Sequence, residues 1–166
     1  MFSTIYTYIT LPIFFSYRGI SSLFWWKWNT KVTKNLYMSG AYILNKDISF
    51  LEENDIFTII NLAKEIKINE DIKGYNYYEF DIKDGSIPSV KTIKEIYDII
   101  KKEVKINSNI QINCAFGSGR STLIILYYLV KSGKYKTLEE AIKYLKSIRP
   151  QIGLNYKQKK YLKSIL

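Results

Sequence analysis

The sequence predicts an α/β fold in which a central, mostly parallel sheet is flanked by helices. Three observations predict it: a continuous apolar, β-branched run at residues 56–61, a second apolar run at residues 110–113, and helical patterns between and after these runs. Such runs are typical of strands covered on both faces, and strands that alternate with helices place the helices against the sheet. At 166 residues the chain fits one globular domain, so we expect a single active site.

Strands are predicted where short apolar runs are bounded by turn residues. Residues 36–40 favour a short strand that ends in a turn, and residues 75–82 favour a further strand. The run at residues 110–113 leads directly into Cys114. The only cysteine of the chain is therefore predicted to lie at the end of a strand.

Two longer helices follow from the spacing of apolar residues. After Pro88, apolar side chains recur every three or four positions up to Val104, which predicts an amphipathic helix with its lysines outward. Residues 121–131 are apolar nearly all round, so we expect a buried helix there.

Capping residues and breakers place the remaining helices. Thr137 and Glu140 form a capping box, which predicts a helix that ends before Pro150. A short helix is predicted at residues 47–54, and a last helix from about Asn155 to residue 166.

Residues 1–29 differ in composition from the rest and are interpreted as a separate apolar arm. The first 17 residues carry no charge, Pro12 interrupts them, and Trp25, Trp26 and Trp28 cluster near the end of the arm. A spanning helix needs about 20 apolar residues, so the arm falls short of a membrane span. Three interpretations stay open: an arm packed on the domain, contact with a membrane surface, and a processed leader.

Composition excludes several classes of function. The chain has no histidine, which excludes mechanisms that use imidazole as base, ligand or proton shuttle. Because Cys114 is the only cysteine, no intramolecular disulfide or multi-thiolate metal site can form, and we expect a reducing, cytoplasmic location and no metal or other cofactor. A net charge of +10 favours anionic partners such as phosphorylated proteins, nucleic acid or an acidic membrane surface. Only three residues are arginine, Arg18, Arg120 and Arg149, which disfavours nucleic acid.

The loop from Cys114 to Arg120 carries the chemistry. Gly117 and Gly119 permit a tight turn whose backbone N–H groups converge on one point, and the helix that follows adds its positive end. The fork of Arg120 matches two phosphate oxygens, and the same positive field favours the nucleophilic thiolate of Cys114. The predicted phosphate-binding set is Ala115, Phe116, Gly117, Ser118, Gly119 and Arg120.

This loop resembles the signature of the protein tyrosine phosphatase superfamily, which is Cys, five residues, Arg, then Ser or Thr. Residues 114–121 match it in full, and residues 30–166 are similar to the catalytic domain of small dual-specificity phosphatases. The similarity includes residues 35–40 and 59–62, and the Arg149-Pro150 pair followed by Leu154-Asn155 and Gln158.

The resemblance implies roles for individual residues. Cys114 would be the nucleophile, Arg120 would bind phosphate, and the Ser121 hydroxyl would assist departure of the thiolate when the cysteinyl-phosphate is hydrolysed. The family usually has His before the cysteine, whereas this chain has Asn113, which can hydrogen-bond but has no ionisable ring.

The mechanism also needs an acid that protonates the leaving oxygen. Asp84 is the better candidate, because residues 84–88 follow a predicted strand, look like the acid loop of the family, and include Gly85 as a hinge. Asp81 is the alternative.

The variable positions of the loop favour a singly phosphorylated substrate. None of Ala115, Phe116 and Ser118 is cationic, whereas family members that act on polyphosphorylated inositol lipids tend to have lysine there. Phosphotyrosine with phosphoserine or phosphothreonine in proteins is the first expectation. A phospholipid monoester similar to phosphatidylglycerophosphate is the enzymatic alternative, because membrane-associated relatives also have a Trp-rich lead-in. A pseudophosphatase that binds phosphopeptides without hydrolysing them is the non-catalytic alternative.

Overall fold

The computed structural model describes residues 27–41, 45–66, 72 and 74–166. Five strands lie in this part of the chain: β1 (Asn29–Lys31), β2 (Leu36–Ser39), β3 (Ile56–Asn61), β4 (Asn76–Glu79) and β5 (Asn109–Asn113). They form one sheet in the order β1-β2-β5-β3-β4. β1 is antiparallel to β2, and the other neighbours are parallel, so β5 lies at the centre. The predicted α/β fold with a mostly parallel sheet is confirmed.

Helices cover both faces of the sheet. They are α1 (Asn45–Glu53), α2 (Val90–Lys105), α3 (Arg120–Lys131), α4 (Leu138–Ile148) and α5 (Tyr156–Ile165). The larger core joins one face of the sheet to α2, α3, α4 and α5. The smaller core lies on the opposite face, where Leu51 of α1 packs with Tyr37, Ile56 and Ile59. α3 is buried along most of its length, as its apolar sequence predicts.

Alternation along the central strand assigns its side chains to the two faces. Ile110 and Ile112 enter the larger core, whereas Gln111 between them donates to the Asn29 side-chain oxygen at 3.1 Å. Burial on both faces gives β5 a rigid carboxyl end. Cys114 follows at this end of the strand.

The helix caps agree with the sequence and add one that it did not predict. Thr137 and Glu140 form the predicted capping box of α4. A second capping box opens α5, where the Asn155 side chain accepts from the Gln158 backbone and Gln158 bonds back to Asn155. Asn with Gln at this spacing follows the same capping rule as Thr with Glu.

Three details differ from the sequence prediction. Phe57 was expected to be covered on both faces but is 61% exposed, because a register shift between Ile56 and Thr58 places it at a β-bulge. The strand predicted at residues 75–82 ends at Glu79. β1 was not predicted, since three residues are too few to show a period.

The predicted N-terminal arm is described only at its end. Asn29 belongs to β1, and the Lys27 and Trp28 carbonyls accept hydrogen bonds from Arg149. These three residues therefore pack on the domain. Residues 1–26 lie outside the described residues, so the three interpretations of the arm stay predictions.

Candidate active site

The predicted phosphate-binding loop lies between the central strand and the most buried helix. β5 ends at Asn113, α3 begins at Arg120, and residues 114–119 connect them. The strands β2 and β3 are parallel to β5, so their carboxyl ends meet at the same edge of the sheet. Ligands of open α/β sheets bind at this edge, and we call it the catalytic edge.

Hydrogen bonds hold the loop carbonyls from outside the loop. The Ala115 carbonyl accepts from Ala41 N–H at 3.1 Å, and the Phe116 and Gly117 carbonyls accept from Arg149 at 3.2 and 2.7 Å. The Ser118 carbonyl accepts from the Thr122 hydroxyl at 2.6 Å and from Gly153 N–H at 2.9 Å. With the carbonyls held outward, the peptide planes turn the intervening N–H groups toward the inside of the loop, which is the geometry of an anion nest.

Gly117 is required by both conformation and space. Its φ is +63°, and a Cβ at this position would overlap the Ser39 carbonyl and the Arg149 guanidinium. The loop therefore packs directly on the end of β2. Gly119 is the N-cap of α3, so the positive end of that helix points at the loop.

Cys114 is buried at the base of the loop. Its side chain is part of the larger core and is only 3% exposed, and its thiol is free. The Ser121 hydroxyl is also buried and has no hydrogen-bond partner among the described residues. A buried hydroxyl without a partner is costly in an inert site, and it suits a group that bonds to the sulfur or to substrate during turnover.

Arg120 closes the mouth of the loop. Its side chain is 1% exposed, and Nη1 donates to the carbonyls of Leu62 and Ile82 at 3.2 and 2.9 Å. Nη1 also contacts Glu65 Oε1 at 2.6 Å, and Nε lies 3.4 Å from Asp84 Oδ1. Backbone carbonyls thus orient the guanidinium, and two carboxylates are its charged partners.

The two candidate acids occupy different positions. Asp84 lies in the turn of residues 83–86, where Gly85 has a φ of +69° and Ser86 N–H donates to the Lys83 carbonyl at 3.0 Å. Its side chain is 76% exposed and reaches Arg120. Asp81 forms an isolated bridge with Ala63 and is exposed.

Asn113 is joined to β3 and β4 by a chain of amide and phenol groups. Its Nδ2 donates to Asn61 Oδ1 at 2.9 Å, and Asn61 Nδ2 donates to the Tyr77 hydroxyl at 2.8 Å. Burial raises the pKa of Tyr77 to about 12. The hydrogen bond with Asn61 lowers this pKa, whereas Glu79 raises it further. Tyr77 is therefore neutral at physiological pH and donates to Glu79 at 3.3 Å.

Arg149 braces the loop from below. It is 0% exposed, and besides the loop carbonyls it donates to the Thr30 hydroxyl at 2.9 Å and to the carbonyls of Lys27 and Trp28. Burial lowers its pKa to about 10, and the nearby Cys114 opposes this by raising it. The guanidinium is thus charged at neutral pH.

The structure brings the predicted residues together and adds others. Cys114, Arg120 and Ser121 lie at the catalytic edge, Asp84 reaches Arg120, and Asp81 lies three residues before Asp84. Sequence interpretation did not assign a site role to Glu65, Arg149 or Asn61. The signal that the sequence offered for Arg149 was an arginine directly before Pro150 in a chain with only three arginines.

The described residues hold neither a candidate metal centre nor a membrane-spanning helix. No group of three or more Cys, Asp or Glu side chains there could hold a metal ion. None of the helices described is long and apolar enough to cross a lipid bilayer.

A buried cysteine, a carbonyl-braced loop and a closing arginine at the end of a parallel sheet define the class of cysteine-based phosphatases. Residues 36–165 match the family model described as dual specificity phosphatase, catalytic domain. The chain belongs to this family.

The curated relatives include lipid and protein phosphatases. Phosphatidylglycerophosphate phosphatase PTPMT2 of Arabidopsis thaliana is 27% identical over 140 residues, 81% of this chain and 60% of the relative. PTPMT1 of the same plant, with the same activity in its name, is 28% identical over 134 residues, 77% of this chain and 39% of the relative. Human dual specificity protein phosphatase 16 is 24% identical over 129 residues, 76% of this chain and 19% of the relative. The chain thus spans 60% or less of the length of each.

Solved structures have the same fold. The crystal structure of PTPMT1 in complex with PI(5)P has a TM-score of 0.74 at 16% identity, covering 83% of this chain and 94% of that one. The crystal structure of DUSP15 has a TM-score of 0.71 at 25% identity, covering 82% of this chain and 86% of that one.

Proposed function

We propose that this protein hydrolyses phosphate monoesters through a cysteinyl-phosphate intermediate. The observation that carries the proposal is the arrangement around the loop: a buried thiol at the base, an arginine across the mouth, and an exposed carboxyl 3.4 Å from that arginine. Nucleophile, anion site and acid are then within reach of one phosphoryl group.

The reaction runs in two displacements. The Cys114 thiolate attacks phosphorus, the bond to the ester oxygen breaks, and Asp84 donates its proton to the leaving alcohol. Water then attacks the cysteinyl-phosphate, Asp84 takes the proton back, and Ser121 donates a hydrogen bond to the departing thiolate. Arg120 and the loop N–H groups stabilise the equatorial oxygens throughout. When substrate binds, its phosphate replaces the carboxylates of Glu65 and Asp84 as the anionic partner of Arg120.

A phospholipid monoester similar to phosphatidylglycerophosphate is the substrate class that we favour. The two plant relatives named for that activity align with about four fifths of the chain. Lys27 and Trp28, which end the Trp-rich lead-in, also pack beside the site, because Arg149 binds their carbonyls and the Trp28 ring lies against Gly40. The loop side chains of Ala115, Phe116 and Ser118 suit one phosphate. A location at a membrane on the cytoplasmic side fits this substrate.

Phosphoproteins are the second candidate. The similarity to human dual specificity protein phosphatase 16 supports phosphotyrosine with phosphoserine or phosphothreonine as substrates. The same loop and acid would serve both substrates, since each presents one phosphate monoester.

The function is tested with three substrates and one variant. Purified protein is assayed on para-nitrophenyl phosphate, on phosphatidylglycerophosphate in mixed micelles, and on a phosphopeptide panel. We expect turnover of all three in some measure, with the highest kcat/KM on the lipid, and no turnover by Cys114→Ser, which retains the loop but lacks the thiolate. Hydrolysis by a clean Cys114→Ser preparation would contradict the assignment of the nucleophile, and a higher kcat/KM on phosphopeptides would make the protein substrate primary.

A further inference from the structure

Exposed apolar side chains gather beside the acid turn. Ile87 is 38% exposed, Val90 is 39% exposed, and Tyr156 is 80% exposed. Ile87 follows the turn that carries Asp84, and Val90 is the first residue of α2. All three side chains therefore lie on segments next to the catalytic edge, where exposure of apolar surface requires an explanation.

Two hydrogen bonds attach the start of α5 to the acid turn. Asn155 Nδ2 donates to the Gly85 carbonyl at 3.0 Å, and Gln158 Nε2 donates to the Ser86 carbonyl at 3.0 Å. Asn155 and Gln158 are the two members of the α5 capping box, so the first turn of α5, which includes Tyr156, lies beside the acid turn. The exposed apolar residues of both segments therefore lie on neighbouring parts of the surface.

Helix α5 makes this surface basic. It contains four lysines and no acidic residue, and Lys163 pairs with Glu139 at 2.5 Å. The other three, Lys157, Lys159 and Lys160, are exposed in its first two turns. An exposed tyrosine followed by lysines is the composition that favours the interface of an anionic bilayer, where the ring reaches the headgroups and the lysines meet the lipid phosphates.

We propose that the surface formed by Ile87, Val90, Tyr156, Lys157 and Lys160, here called the docking face, binds an anionic lipid surface and holds the catalytic mouth against it. This proposal rests on the proposed function, because it supplies the partner on which a lipid substrate is presented. Lipid binding at this face acts directly on the acid turn, because the two capping side chains that flank Tyr156 bind the carbonyls next to Asp84.

The opposite edge of the sheet offers a matched contrast. Phe57 is 61% exposed near the start of β3, and Ile106 is 66% exposed just after α2. Both lie at the amino ends of the strands, away from the loop. Three acidic residues precede Phe57 closely: Glu52, Glu53 and Asp55. The charge near this apolar pair is mixed, because Lys102 and Lys105 end α2 beside Ile106, so we expect it not to bind an anionic membrane measurably.

The experiment measures partitioning of the full chain onto vesicles of phosphatidylcholine with and without phosphatidylglycerol. We expect Val90→Ser/Tyr156→Ser and Lys157→Glu/Lys160→Glu each to weaken binding to the anionic vesicles by about tenfold or more. The control pair Phe57→Thr/Ile106→Ser should bind as the wild type does. Equal partitioning of wild type and docking-face variants would overturn the proposal, as would an equal loss in the control or equal binding to neutral vesicles.

Turnover of para-nitrophenyl phosphate separates this proposal from the proposed function. The docking-face variants should keep the wild-type rate on this soluble ester while losing activity on vesicle-borne substrate. If the wild type binds vesicles but hydrolyses neither substrate, the proposed function is refuted, whereas the proposal for the docking face stands. If the variants lose phosphopeptide turnover and keep vesicle binding, the face recognises protein and the lipid proposal is wrong.

Discussion

Two arginines lie on opposite sides of the same loop, and they differ in what holds them. Arg149 below the loop is bound by backbone carbonyls and one hydroxyl, none of which can leave. Arg120 at the mouth is bound partly by carbonyls and partly by Glu65 and Asp84. The underside is fixed, whereas the mouth has carboxylates that a phosphate can replace. An arginine that binds ligand can thus be distinguished from one that supports the loop by whether its partners include carboxylates or only backbone carbonyls and a hydroxyl.

The largest expected effect is at the mouth. Arg120→Lys retains the positive charge but loses the planar fork, so we expect kcat/KM for para-nitrophenyl phosphate to fall by about 10²- to 10³-fold. Steady-state kinetics measure the loss, and thermal unfolding checks that the variant is folded. Near wild-type kinetics would mean that Arg120 does not bind phosphate as a fork.

Asp84→Asn tests the exposed carboxylate of the mouth. With a poor leaving group such as an alkyl phosphate, kcat should fall by about 10²-fold, and far less with para-nitrophenyl phosphate, whose leaving group hardly needs a proton. A general acid works in its protonated form, so wild-type activity is lost as pH rises and the variant should lack this basic limb.

Asp81→Asn is the matched control for the acid. It removes the same negative charge three residues before Asp84. Both the leaving-group dependence and the pH profile should stay as in the wild type. If Asp81→Asn shows the loss instead, the acid is Asp81.

At the underside, Arg149→Lys should lower stability as well as activity. The lysine cannot reach all the carbonyls that the guanidinium binds, and we expect a loss of about 2 kcal/mol in the free energy of unfolding. Urea denaturation measures the difference. The comparison of the two arginines predicts that Arg120→Lys loses more activity and less stability than Arg149→Lys, and the reverse order would break it.

The smallest effect is expected at Asn113. Asn113→His supplies the residue usual in the family and retains a donor toward Asn61, so we expect kcat/KM to change by no more than about threefold. The added ring can ionise, so the acidic limb of the pH profile should move. An unchanged acidic limb would show that this position is electrostatically neutral.

The sequence by itself determined the features that depend on neighbouring residues. The order of helices and strands follows from local apolar periodicity, and the α4 cap follows from residues three apart. The loop from Cys114 to Arg120 was predicted for the same reason, because seven consecutive residues contain both the predicted nucleophile and the predicted anion-binding group. A tight turn between a strand and a helix leaves little freedom in how these groups are arranged.

Only the tertiary structure decided which distant residues support the loop. Arg149 reaches it across 32 positions from Gly117, Glu65 reaches Arg120 across 55, and Asn61 reaches Asn113 across 52. Parallel pairing brings residues that are far apart in the chain to one edge of the sheet, and no local pattern records that pairing. The bulge that exposes Phe57 is also a property of two paired strands, so one strand's sequence could not predict it.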